Sequence, residues 1–163
     1  MRIQSVSRFT SMFAALTMLA GAALGQTSPP SRQCSPVSGT MATNLAVVDA
    51  STTLGTANGD LKGAVAAAIL NVTTNSDGTV SFSVQHSFVT DAGDTIFFDP
   101  ATAVTKPLSE TLFAILSYPV HIKGGTGKWA GATGDLHSIG EVDLKSGKTV
   151  FRYSGTVCLA SSH

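Results

Sequence analysis

Thr79-Val80-Ser81-Phe82-Ser83-Val84-Gln85-His86-Ser87-Phe88-Val89-Thr90 alternates so regularly that it decides the fold class. Val80, Phe82, Val84, His86 and Phe88 share one parity, while Thr79, Ser81, Ser83, Gln85 and Ser87 share the other. Period two, apolar on one face and hydroxyl-rich on the other, describes a β-strand with one side on a core and one in water. The Ala/Val/Ile-rich run Lys62 to Thr74 precedes it, and Asn75-Ser76-Asp77-Gly78 between the two has the composition of a hairpin turn. Asp91-Ala92-Gly93-Asp94 makes the next turn and leads into Thr95-Ile96-Phe97-Phe98.

The same pattern runs outward from there. Asp99 to Leu108, with Pro100 and Pro107, reads as a loop. Phe113 to Ile122 reads as a strand with Leu116, Tyr118, Val120 and Ile122 on one face. Leu136 to Leu144 and Thr149 to Leu159 are the last strands, joined by a turn at Ser146-Gly147. Thr149, Phe151, Tyr153, Val157 and Leu159 share a face, interrupted by Gly155, which suits the bend of a curved sheet. No window offers an amphipathic helix. The expected fold is all-β, a single antiparallel closed barrel of about eight strands, with a two-sheet β-sandwich as the alternative. A closed barrel has no exposed edges, an advantage for a chain with few surface charges.

Composition agrees. Of 163 residues 43% are hydrophobic and only 12% charged, with ten Lys+Arg against ten Asp+Glu. That balance lacks the basic excess that phosphate backbones demand, so no nucleic-acid partner is expected. Residues 1–25 have the layout of a cleaved signal peptide: Arg2 and Arg8, then an uncharged apolar run from Met12 to Leu24, too short to span a bilayer. Ala23 and Gly25 fit a cleavage site before Gln26, and cleavage after Ala22 is the alternative. Arg2 and Arg8 leave with that peptide, so the mature chain is mildly acidic, without a membrane span, and secreted or periplasmic. Residues 26–39, with Pro29-Pro30 and Cys34, read as an extended leader, and residues 40–163 as the barrel domain. Cys34 and Cys158 are the two cysteines of an exported chain, and a disulfide between them ties the first strand to the last.

Gly124-Gly125-Thr126-Gly127-Lys128-Trp129-Ala130-Gly131-Ala132-Thr133-Gly134 is the densest glycine segment of the chain. It contains a loose G-x-G-x-x-A, but the helix a dinucleotide site requires is missing, and Trp129 stands where a Walker loop needs Ser or Thr. Glycines here serve a turn at the barrel rim, and Trp129 a large apolar plug. Together with the preceding Tyr118 to Lys123 and the later Tyr153-Ser154-Gly155-Thr156-Val157, the segment resembles the C-terminal part of the allene oxide cyclase and dirigent barrel superfamily. The resemblance covers roughly 45 residues, extends weakly upstream towards small secreted bacterial members, and implies an eight-stranded calycin-like barrel. It carries over none of the family's functional residues.

Strand parity puts His86 on the inward face, the most informative polar position, where a buried imidazole orients a ligand or moves a proton. Asp94 and Asp99 are its potential partners, and His86 with Asp99 are the candidates for acid/base chemistry. Tyr118, Tyr153 and Trp129 join His86 as candidate ligand-binding residues. His121 groups with Ser117 and Lys123, and His137 with Glu141 and Asp143, facing solvent. A metal site at His137 is a minor possibility, and neither metal nor cofactor is expected. Asn71-Val72-Thr73 is formally a glycosylation sequon in a predicted strand. The leading expectation is an exported small barrel that binds a small, largely apolar molecule in its lumen, for which the alanines from Ala64 to Ala68 leave room. The resemblance implies as an alternative a cofactor-free cyclase or isomerase, or a dirigent-like protein guiding a reactive intermediate. A third reading is a self-filled barrel acting through its surface. Homo-oligomerisation is left open.

Overall fold

The structure is a computed structural model that describes residues 32–161. The expected signal peptide and the first residues of the expected leader lie outside the described residues.

Ten strands follow in chain order: β1 (Arg32–Leu45), β2 (Thr52–Gly59), β3 (Gly63–Thr74), β4 (Val80–Thr90), β5 (Thr95–Phe98), β6 (Ala101–Pro107), β7 (Leu112–Ser117), β8 (Pro119–Gly125), β9 (Thr133–Asp143) and β10 (Lys148–Ala160). All pairings are antiparallel. β4 pairs first with β6 and then with β5, and β9 pairs with both β7 and β8, so β5/β6 and β7/β8 are two broken staves of one sheet. Eight staves result. β10 pairs with β9 on one side and with β1 on the other, which closes the sheet into a barrel and excludes the sandwich.

The closing seam runs from Arg32 opposite Ala160 to Asn44 opposite Lys148. Within it Cys34 lies directly across from Cys158, and the two form a disulfide. The first strand therefore begins inside the expected leader. Residues 32–38 of β1 pair only with β10, because β2 joins at Gly39, and Pro36 is tolerated on that open edge, where a missing N–H is not needed.

Two further expectations change. The segment after Asp99 is not a loop: Ala101, Ala103 and Thr105 are buried in β6 while Thr102 and Lys106 face out. Its two prolines flank or end the strand, where the lost donor costs least. Leu116 does not share the face of Tyr118. The register steps from Val104 opposite Ser117 to Thr105 opposite Ile115, and this bulge turns Ile115 inward and leaves Leu116 50% exposed.

The two barrel ends differ. At the end that holds the β2–β3, β4–β5 and β8–β9 turns, Leu61, Phe88, Ile96, Ile122 and Val157 fill the lumen. Trp129 closes it, 5% exposed, on one turn of 3-10 helix at Gly127–Trp129. A Cβ at Gly125 would collide with Trp129 and the Thr95 carbonyl, and Gly127 has φ of 52°, so the glycines let the rim fold tightly over its plug. At the other end, among the β1–β2, β3–β4, β6–β7 and β9–β10 turns, the lumen is not filled and a cavity remains.

Candidate functional site

The open half of the lumen holds a cavity of about 70 Å³. Its walls include Ala67 on β3 and Ala103 on β6, two small residues where the barrel interior needs volume, with Phe82 and Phe151 as the large ones. Ala67 belongs to the alanine run that suggested spare space. Thr43 and Thr149, opposite each other across the β1–β10 seam, are buried in the same wall. A smaller void of about 20 Å³ lies deeper, towards Phe98 and Leu136.

His86 and Tyr118 border both spaces. β4 alternation sends His86 inward between Val84 and Phe88, and the Leu116 bulge sets the parity of Tyr118. The Tyr118 hydroxyl and His86 Nε2 are 2.6 Å apart, a buried hydrogen bond between staves. Phe98 meets the imidazole edge-on at 5.6 Å between ring centroids, and Phe151 meets the Tyr118 ring at 6.1 Å. Burial holds the imidazole pKa down at about 4 and pushes the phenol well above its ordinary value. Both groups are neutral at pH 7, so the pair is a hydrogen bond and not an ion pair. His86 Nδ1 is buried without a partner.

The other expected site residues lie outside the open cavity, Tyr153 on the deeper void. The Asp99 carboxylate stands 3.4 Å from the Lys123 ammonium, both about half exposed. Asp94 serves the glycine-rich turn, accepting from the Lys128 N–H at 3.4 Å. The Tyr153 hydroxyl is committed to the backbone of the β2–β3 turn: it accepts from the Leu61 N–H at 2.8 Å and donates towards the carbonyls of Asn58 and Leu61. Burial is the main cause that raises its pKa. Trp129 lines a separate hollow of about 270 Å³ at the closed end, with its indole N–H buried and unpaired and the Lys128 ammonium 5.5 Å from the ring centroid. His121 faces out and pairs with Asp135 at 2.9 Å. Among the described residues no group of three His, Cys, Asp or Glu side chains is placed to hold a metal ion.

The structure thus brings together His86 and Tyr118, and sets Asp99, Tyr153 and Trp129 apart from the open cavity. Thr43 and Thr105 were missed. Thr105, fully buried, donates to the Val80 carbonyl at 2.9 Å from a strand that prolines had disguised as a loop.

No protein-family model and no curated protein matches the chain. Among solved structures, it is similar to the pterocarpan synthase dirigent protein GePTS1, at 16% identity and TM-score 0.45 over 82% of this chain and 94% of that one. It is also similar to the pterocarpan synthase dirigent protein PsPTS1, at 14% identity and TM-score 0.35 over 80% of this chain and 97% of that one.

Proposed function

We propose that this protein is an exported carrier or receptor for a small, largely apolar molecule held in the barrel lumen. The observation that carries the reading is the open cavity itself: a largely apolar wall thinned at Ala67 and Ala103 and dotted with the hydroxyls of Thr43, Thr53, Thr105 and Thr149, with the buried pair His86 and Tyr118 at the inner end. Pockets for small molecules have this makeup, an apolar lining with few placed polar groups. At about 70 Å³ the cavity is about half the size of one that encloses a benzene ring, so a ring-sized ligand would lie partly in its open mouth. Export is supported by the charged and apolar segments of residues 1–25 and by a disulfide, which oxidising compartments maintain.

The test is native mass spectrometry of protein purified from its own host, beside an Ala67→Leu, Ala103→Leu variant in which the added side chains occupy the cavity. The expected result is a small adduct, released on denaturation, that the variant lacks. A bare wild-type mass, or an adduct retained by the filled variant, overturns lumen binding.

A further inference from the structure

Thr105 and Thr53 in the cavity wall donate to backbone carbonyls, and Thr43 and Thr149 lie in its outer part. Which polar atom the inner end of the lumen offers a ligand therefore follows from counting protons in the Tyr118–His86 pair. If His86 carries its proton on Nδ1, the Tyr118 hydroxyl donates to Nε2 across 2.6 Å, and one buried group, Nδ1–H, lacks a partner. If the proton sits on Nε2, that nitrogen donates to the Tyr118 oxygen. Two groups then lack protein partners: the Tyr118 proton, turned towards the cavity, and the sealed Nδ1 lone pair. Buried polar groups without partners are costly, so the first tautomer is the resting one. In that state His86 has nothing to offer a ligand, because Nε2 is occupied and Nδ1 is sealed from the cavity. Tyr118 has spent its proton and offers only oxygen lone pairs. No Asp, Glu, Lys or Arg lines the open cavity or the void beneath it, so a charged ligand would enter without a counter-ion.

Resting on the lumen-binding reading, we infer that the cavity selects an uncharged, ring-sized molecule carrying a hydroxyl, which donates to the Tyr118 oxygen, and that it rejects carboxylates. Tyr118 is the specificity-determining contact. His86 is a positioning residue that takes the Tyr118 proton and so fixes the hydroxyl as an acceptor. At this pair a ketone meets the wrong polarity unless the proton first moves between the ring nitrogens. The Thr43 and Thr149 hydroxyls in the outer wall can donate or accept and so serve either probe; the preorganised pair is what favours the alcohol.

The probes are methylcyclohexane, cyclohexanol, cyclohexanone and cyclohexanecarboxylate, titrated at pH 7.5 by calorimetry and ligand-detected NMR. Cyclohexanol is expected to bind about 5-fold more tightly than methylcyclohexane, the worth of one net hydrogen bond, and the carboxylate at least about 30-fold more weakly than cyclohexanol. Tyr118→Phe removes the alcohol's advantage and leaves methylcyclohexane within about 2-fold. His86→Leu also removes the advantage, while His86→Gln, whose amide oxygen accepts the Tyr118 proton, restores it. On the wild-type protein, ¹⁵N NMR of the imidazole reads the tautomer directly and needs no variant to fold. Failure of all four probes to bind overturns the lumen reading itself. Binding of methylcyclohexane with no gain for cyclohexanol, a preference for the ketone, equal binding of the carboxylate, or a proton found on Nε2 each overturns the inference while lumen binding stands.

Discussion

His86 and Tyr118 are coupled, and their energetics are those of a pair. Removing either partner leaves the other buried without a hydrogen bond, a cost of about 1–3 kcal/mol, whereas removing both leaves an apolar contact. His86→Leu and Tyr118→Phe are therefore each expected to destabilise by about 1–3 kcal/mol, and the double variant by less than the sum of the two. Urea unfolding of the four proteins gives the coupling, and strict additivity would show that the 2.6 Å contact contributes nothing. Acid adds a second test. The folded imidazole has its pKa lowered from 6.5 to about 4, so between those values the unfolded chain takes up a proton that the folded one refuses. Stability is full above pH 6.5 and falls as pH drops towards 4, by about 3 kcal/mol. In His86→Leu that slope flattens. Asp49, Asp77 and Asp143, kept below their ordinary pKa chiefly by hydroxyls of Ser51, Thr79 and Ser146, act in a separate and lower window, below about pH 4.

Strands were legible wherever alternation used large residues. β4 and β10 announce themselves through Phe, Val and Tyr against Ser and Thr, and the parity that buried His86 follows directly. β6 hid because its inward residues are Ala101, Ala103 and Thr105, too small and too polar to stand out between two prolines, although their period is also two. The side of Leu116 was unreadable for another reason: a bulge is a count of residues against the partner strand, and a single strand does not contain that count. The same limit applies to the site. Inward parity nominated His86, Tyr118 and Tyr153 alike, and only the register shows Tyr118 reaching His86 while Tyr153 is spent on a turn. The glycine-rich turn was legible through its chemistry, and it makes a sharp prediction. Gly125→Val places side-chain atoms where the Thr95 carbonyl and Trp129 already are, so the plug must move. The chain has one Trp, which makes its emission a specific reporter. A red-shifted emission maximum and a loss of roughly 2–4 kcal/mol are expected, as for an overpacked core site. Unchanged emission would mean that the turn holds Trp129 by other means.

Closure of the whole molecule depends on its two chain ends. The first strand and the last meet along 13 paired positions, from Arg32 opposite Ala160 to Asn44 opposite Lys148, and until they do, both are edges with free donors and acceptors. Bringing them together is the longest loop closure in the fold, since Cys34 and Cys158 are 124 residues apart. The disulfide restricts the unfolded chain in the same coordinate in which the seam orders the folded one. In the chain-entropy model, a loop of that length corresponds to about 4–5 kcal/mol. Yet the bridge is one pair at the end of a seam otherwise held by backbone hydrogen bonds, so the folded barrel does not require it to hold its shape. Replacing both cysteines with serine is accordingly expected to leave the far-UV circular dichroism and the Trp129 emission unchanged while lowering unfolding free energy by about 3–5 kcal/mol in a urea titration. The loss should fall mainly on the refolding rate, because the oxidised chain begins with its most distant contact already made and the serine variant must find it. A variant as stable as the wild type would show that the seam alone sets the closure energy. A variant with altered far-UV dichroism would show that the bridge shapes the barrel as well as securing it.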